Sequence, residues 1–147
     1  MTEILISKTE EETRKIGEKI GSKLDKGSLI LLDGPLGSGK TVLVKGIAKS
    51  LNIEEEITSP SFTIISEYQG YLQNNPSHKV QFFHVDLYRI ENAEEIEDLG
   101  LDDIIYSNGI VVIEWGEKLE PILPDSCIKI SISIQSDLSR RITIRHP

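Results

Sequence analysis

The run Gly34-Pro35-Leu36-Gly37-Ser38-Gly39-Lys40-Thr41 fits the pattern G-x-x-x-x-G-K-[ST], which marks a phosphate-binding P-loop. The chemistry explains the spacing. Glycines let the backbone curl until successive N–H groups point inward at an anion. A helix that starts there adds its unbonded amides and the positive end of its dipole. A lysine at position 40 supplies an ammonium for the β- and γ-phosphates, and the hydroxyl of Thr41 is a ligand for Mg²⁺. The nucleotide-binding set read from the motif is Gly34, Leu36, Gly37, Ser38, Gly39, Lys40, Thr41 and Val42.

The flanks agree with the motif. Ser28 to Asp33 is a short apolar run, as expected for a strand buried on both faces. Beyond the loop, Leu43, Val44, Ile47, Ala48 and Leu51 recur at helical spacing. Strand, loop and helix therefore stand where phosphate binding needs them.

Composition narrows the remaining choices. At 147 residues, with 38% apolar and 27% charged residues, the chain fits one soluble domain over 1–147. No apolar run approaches the roughly 18 residues of a membrane span, and the first residues do not read as a signal peptide. The single cysteine, Cys127, rules out an internal disulfide. A cytoplasmic location is expected. The net charge of −8 argues against the chain gripping nucleic acid alone, because that affinity rests on Lys and Arg neutralising phosphates.

Along the chain, Glu3 to Ile6 reads as an edge strand, and Thr9-x-x-Glu12 as a capping box opening a helix. On that helix Thr13, Ile16, Gly17, Ile20, Gly21 and Leu24 share one face, and the two glycines suit close approach to a neighbour. Gly27 suits the helix stop. Ser59-Pro60-Ser61 forms a hydroxyl-rich turn, a strand follows through Tyr68, and Gly70 to Lys79 reads as an exposed loop. Val80 to Asp86 and Gly109 to Glu114 are apolar strands that each end on an acid; between them, Glu91 to Asp98 is helical and stops near Gly100. The isoleucines at 128, 130, 132 and 134 alternate with polar residues, as in a half-buried antiparallel strand, and Arg140 to Arg145 returns as its partner. The expected fold is α/β, a P-loop domain on a mixed sheet with a C-terminal antiparallel strand pair.

A P-loop enzyme adds a carboxylate at a strand end to hold metal or its water shell. Asp86 and Glu114 are the two candidates, and strand carboxyl ends are where open α/β sheets bind ligands. Lys40, Asp86 and Glu114 form the expected catalytic set, with Thr41, Asp86 and Glu114 as candidate metal ligands. Which acid orders the attacking water stays open. A lone His84 reads as a packing or hydrogen-bonding residue.

Taken together, Gly34 to Thr41, Ser59-Pro60-Ser61-Phe62-Thr63, His84-Val85-Asp86-Leu87-Tyr88-Arg89, Leu99-Gly100-Leu101 and Val112-Ile113-Glu114-Trp115 resemble, in order and spacing, the bacterial TsaE (YjeE) family. The resemblance covers nearly the whole chain. It implies a small ATPase that uses ATP and Mg²⁺ and acts with TsaB and TsaD, which together install threonylcarbamoyl on the tRNA adenosine beside the anticodon. It also implies that Trp115 belongs to the nucleotide site and that tRNA is met only through the complex. Where the family commonly has threonine after Ser-Pro, this chain has Ser61, which keeps a hydroxyl.

Rival functions leave fewer traces. A GTPase box of the type D-x-x-G or [NT]-K-x-D is missing. A small-molecule kinase needs several arginines to clamp its substrates; of five here, only Arg89 is expected near the site. A nucleotide-gated binding module without significant hydrolysis is the non-enzyme alternative.

Overall fold

The computed structural model describes residues 1–60, 64–117, 119 and 123–147. Its elements in chain order are β1 (Thr2–Ser7), α1 (Glu10–Gly21), β2 (Leu29–Asp33), α2 (Lys40–Ser50), β3 (Ile65–Leu72), β4 (Asn75–Asp86), α3 (Ala93–Asp98), α4 (Leu101–Ile105), β5 (Ile110–Glu114), β6 (Ile128–Ile134) and β7 (Arg140–Arg145). The strands form one sheet in the order β1-β7-β6-β2-β5-β4-β3. Its centre is parallel, with β2 between β5 and β6 and with β4 beside β5. The β1–β7, β6–β7 and β3–β4 pairs are antiparallel. The expected mixed sheet with a C-terminal antiparallel pair is present.

Strand period 2 divides the core between the two sheet faces. On one face Ile30, Leu32, Phe82, Ile110 and Val112 pack against Leu43, Val44 and Ile47 of α2 and Ile20 of α1. On the other, Leu29, Leu31, Val85, Val111 and Ile113 meet Ile96, Leu101 and Ile105 of α3 and α4. By the same alternation, His84 and Asp86 share the α2 side of β4 with Phe82, and Glu114 shares that side of β5 with Val112. That parity aims both acids at the P-loop.

The glycines of α1 do what their spacing suggests. A Cβ on Gly17 would stand 2.2 Å from the Leu43 carbonyl oxygen, and one on Gly46 of α2 would stand 2.1 Å from the Arg14 carbonyl oxygen. The two helices touch backbone to backbone. At the start of α1, Thr9 accepts a hydrogen bond from Glu12 N at 3.0 Å, while the Glu12 carboxylate reaches Lys8 N instead of closing the box on Thr9.

Two expectations need correction. The segment from Gly70 to Lys79 is a hairpin, not an open loop: β3 runs to Leu72 and β4 starts at Asn75, with Gly70 so close to the Leu51 carbonyl oxygen that its Cβ would lie 2.6 Å away. Gly27 does not stop α1, which ends at Gly21 with Ser22 as its cap; Gly27, at φ +83°, turns the chain into β2. β6 is the expected half-buried antiparallel partner of β7, and along its other edge it runs parallel to β2, which seats it inside the sheet.

Candidate active site

The loop between β2 and α2 takes its shape from Gly37 and Gly39, at φ +79° and +104°. Both angles lie in the left-handed region that L side chains adopt at a cost. Gly39 is the N-cap of α2 and offers no side chain to cap the first-turn amides. Those amides are left for an anion. Within the loop the Ser38 hydroxyl is buried with no hydrogen-bond partner among the described residues. A buried hydroxyl without a partner carries a desolvation cost.

Lys40 opens α2 and is buried. Its ammonium donates to the Gly34 carbonyl oxygen at 2.7 Å, lies 3.7 Å from Glu114 Oε1, and stands 4.3 Å from the centre of the Trp115 ring. Trp115 adopts φ +59°, an uncommon angle for an aromatic residue, just after β5 ends. Its ring also packs on Tyr88, centroids 5.0 Å apart. Strain of this kind, about 1–3 kcal/mol, is typical where a side chain must be aimed.

Glu114 and Asp86 are register partners at the ends of the parallel strands β5 and β4. Both are buried. Glu114 Oε2 accepts from His84 Nε2 at 2.5 Å, and Asp86 Oδ1 accepts from Tyr88 N at 2.9 Å. Burial pushes the Asp86 carboxyl above its ordinary range, and the nearby Glu114 adds to the effect; the Tyr88 amide, His84 and Lys40 oppose it.

These groups line a cavity of about 530 Å³. Its wall includes Leu36, Gly37, Gly39, Lys40, Thr41, Val42, Asp86, Glu114 and Trp115, so most of the expected nucleotide and metal set converges there. Gly34 and Ser38 are not in this wall. Gly34 contributes its carbonyl to Lys40, and Ser38 faces a second cavity of about 240 Å³ behind the loop, shared with Lys8, Thr9, Thr13 and Arg140. Ser59 and Arg89 also border the larger cavity. Ser61, whose hydroxyl was expected at metal or phosphate, lies outside the described residues, as do Phe62 and Thr63.

Sequence reasoning missed Arg140. It was expected in the C-terminal strand, away from the site, yet its guanidinium reaches back to the P-loop, bonding the carbonyl oxygens of Ser38 at 3.0 Å and Gly37 at 3.3 Å. A third bond goes to Leu138 O at 2.6 Å. Separations of over a hundred residues have no local signal. His84 is the hydrogen-bonding residue that the sequence suggests; its parity with Asp86 on one strand indicates the face, and the partner, Glu114, is what the sequence leaves unnamed.

A parallel-centred sheet, a glycine-rich loop opening a helix, and two acids on adjacent strand ends define a P-loop α/β protein. The comparisons go further. Residues 7–142 match the family model "Threonylcarbamoyl adenosine biosynthesis protein TsaE". Relatives named tRNA threonylcarbamoyladenosine biosynthesis protein TsaE include those of Treponema pallidum, 37% identical over 95% of this chain and 97% of its own, and Nostoc sp., 39% identical over 98% and 85%. The crystal structure of Bacillus subtilis YdiB superposes with a TM-score of 0.80 at 29% identity, covering 99% of this chain and 86% of that one. The chain belongs to the TsaE family.

Proposed function

We propose that this protein binds and hydrolyses ATP with Mg²⁺ as an accessory ATPase of tRNA threonylcarbamoyladenosine biosynthesis, working with TsaB and TsaD. Family membership supports the pathway. The observation that carries the ATPase reading is the convergence of Lys40, Thr41, Asp86 and Glu114 on one cavity at the mouth of the P-loop.

The residues fit both groups. The uncapped first turn of α2 suits phosphate. A Thr hydroxyl and two carboxylates are hard oxygen donors, and Mg²⁺ is held by one or two carboxylates with phosphates and waters completing its shell. When bound, Mg²⁺ neutralises charge on the phosphates. In this reading Thr41 is a metal ligand, and Asp86 and Glu114 divide metal holding and water positioning between them. Lys40 neutralises β/γ oxygens, and the Trp115 ring limits where its ammonium can swing.

Water attack needs an acceptor beside the nucleophile. Asp86 and Glu114 both stand at the cavity wall, and the raised Asp86 carboxyl is the more basic than an ordinary aspartate. Hydrolysis is favoured over a kinase because, in the wall, arginine is represented by Arg89, whereas metabolite kinases clamp with several. ATP is favoured over GTP because no guanine-recognition box is in the sequence. The test is competition of ATP and GTP against a labelled non-hydrolysable ATP analogue. ATP displacing the label at far lower concentration is expected; equal potency refutes the base preference, and no displacement by either refutes the nucleotide site.

A further inference from the structure

We infer that His84 is a positioning residue, which locks one oxygen of Glu114 and so presents the other to the nucleotide site. The inference rests on the reading of Glu114 proposed above.

His84 is completely buried on β4, on the sheet face of Phe82 and opposite Val112 in the register with β5. An apolar side chain would fill that place without the desolvation of two ring nitrogens. Nδ1 has no hydrogen-bond partner among the described residues, so the ring is only half satisfied. Its one bond, Nε2 to Glu114 Oε2 at 2.5 Å, is therefore what a polar residue gains there. A carboxylate can only accept, so the shared proton sits on Nε2.

The geometry assigns the two Glu114 oxygens different tasks. His84 faces Val112 in the β4–β5 register, one pleat below the Asp86–Glu114 pair, and so approaches Glu114 from the sheet interior. Oε2 points down to His84, and Oε1 lies 3.7 Å from the Lys40 ammonium at the cavity. Without the lower bond, rotation about the last side-chain torsion is unopposed, because that torsion is broad. The carboxylate is then free to pair both oxygens with Lys40, away from metal or water. The arrangement resembles the outer partners that orient carboxylates in metal sites.

The nitrogens of different amides separate this role from packing. A glutamine amide nitrogen can reach the place of Nε2, whereas an asparagine cannot, and leucine offers no donor. Wild type, His84→Gln, His84→Asn and His84→Leu would be compared by thermal melts, by phosphate release, and by titration with a non-hydrolysable ATP analogue with and without Mg²⁺. The single tryptophan, Trp115, lies in the cavity and reports binding by fluorescence. His84→Leu and His84→Asn are expected to lose about 10- to 100-fold of the Mg²⁺ enhancement of affinity and of turnover, the usual effect of removing such a partner, with Mg²⁺-free affinity retained. His84→Gln is expected to recover most of both. A glutamine variant no better than leucine in binding, or as badly destabilised, overturns the inference in favour of packing. A wild type that responds to Mg²⁺ with variants that respond equally overturns this inference alone. A wild type indifferent to Mg²⁺ overturns the metal assignment of Glu114, and this inference with it.

Discussion

Lys40 and Glu114 form a buried ion pair at the cavity, Nζ to Oε1 3.7 Å, with side chains only 8% and 5% exposed. Burying two charges is costly, and a contact this long recovers only part of the cost. Two apolar residues would fold at least as well. The pair is explained by what each charge faces across the cavity.

Removing one partner leaves the other charge buried. Lys40→Ala is expected to lower stability by about 3 kcal/mol, the low end for a broken buried pair, and to weaken triphosphate binding at least tenfold. Adding Glu114→Gln should restore part of the stability but none of the binding. Urea denaturation and calorimetric titration of the single and double variants check this; additive stability losses would show that the two charges do not interact.

The raised Asp86 carboxyl gives a signed pH effect. Its folded pKa lies above the 3.8 of a free aspartate side chain. Between the two values the unfolded chain binds fewer protons, so stability falls as pH rises. The stabilising contribution is complete below 3.8 and lost as pH climbs through the folded value. Asp86→Asn should remove that decline, melt higher at neutral pH, and hydrolyse ATP more slowly. A neutral-pH melt equal to or below wild type would contradict the assignment of burial as the dominant cause.

Arg140 ties β7 to the P-loop through two carbonyl oxygens. Arg140→Ala is expected to weaken nucleotide binding about tenfold, or 1.4 kcal/mol, with the sheet intact. Arg140→Lys should not rescue it, because a single ammonium cannot span three acceptors as the planar fork does. Full rescue by lysine would mean that only charge matters.

The α1–α2 seam predicts a purely structural loss. Gly46→Ala places a methyl 2.1 Å from the Arg14 carbonyl oxygen, a backbone atom that cannot swing aside. A loss of about 1–3 kcal/mol is expected, as for overpacked cores. Because α2 begins at Lys40, nucleotide affinity should fall as well. A variant as stable as wild type in chemical denaturation would show that the helices part easily.

Much of this site is written in local pattern. Lys40 and Thr41 are fixed by the loop motif, and the apolar runs before Asp86 and Glu114 place both acids at strand ends. Strand parity then puts them on the α2 side. The hairpin from Gly70 was illegible because Asn74, Asn75 and Pro76 signal a turn without saying how far the flanking strands extend. The parallel edge of β6 depends on insertion beside β2, which alternating isoleucines do not encode. Arg140 owes its role to a contact 102 residues away in sequence, beyond the reach of any local pattern, and His84 to one 30 residues away, for which strand parity gives the face but not the partner.

If Lys40, Asp86 and Glu114 serve hydrolysis as proposed, protein partners are expected to accelerate it. Arginine supplied to a phosphoryl-transfer site is worth about 10³–10⁵-fold, and Arg89 at the cavity edge is the in-chain candidate. The decisive measurement is steady-state phosphate release with Mg²⁺ and with EDTA, for this chain alone, with TsaB and TsaD, and for Glu114→Gln and Arg89→Ala under each condition. Slow Mg²⁺-dependent release that the partners raise and Glu114→Gln abolishes is the predicted result. Nucleotide binding without phosphate release under any condition, or a fast basal rate that the partners leave unchanged, would contradict it.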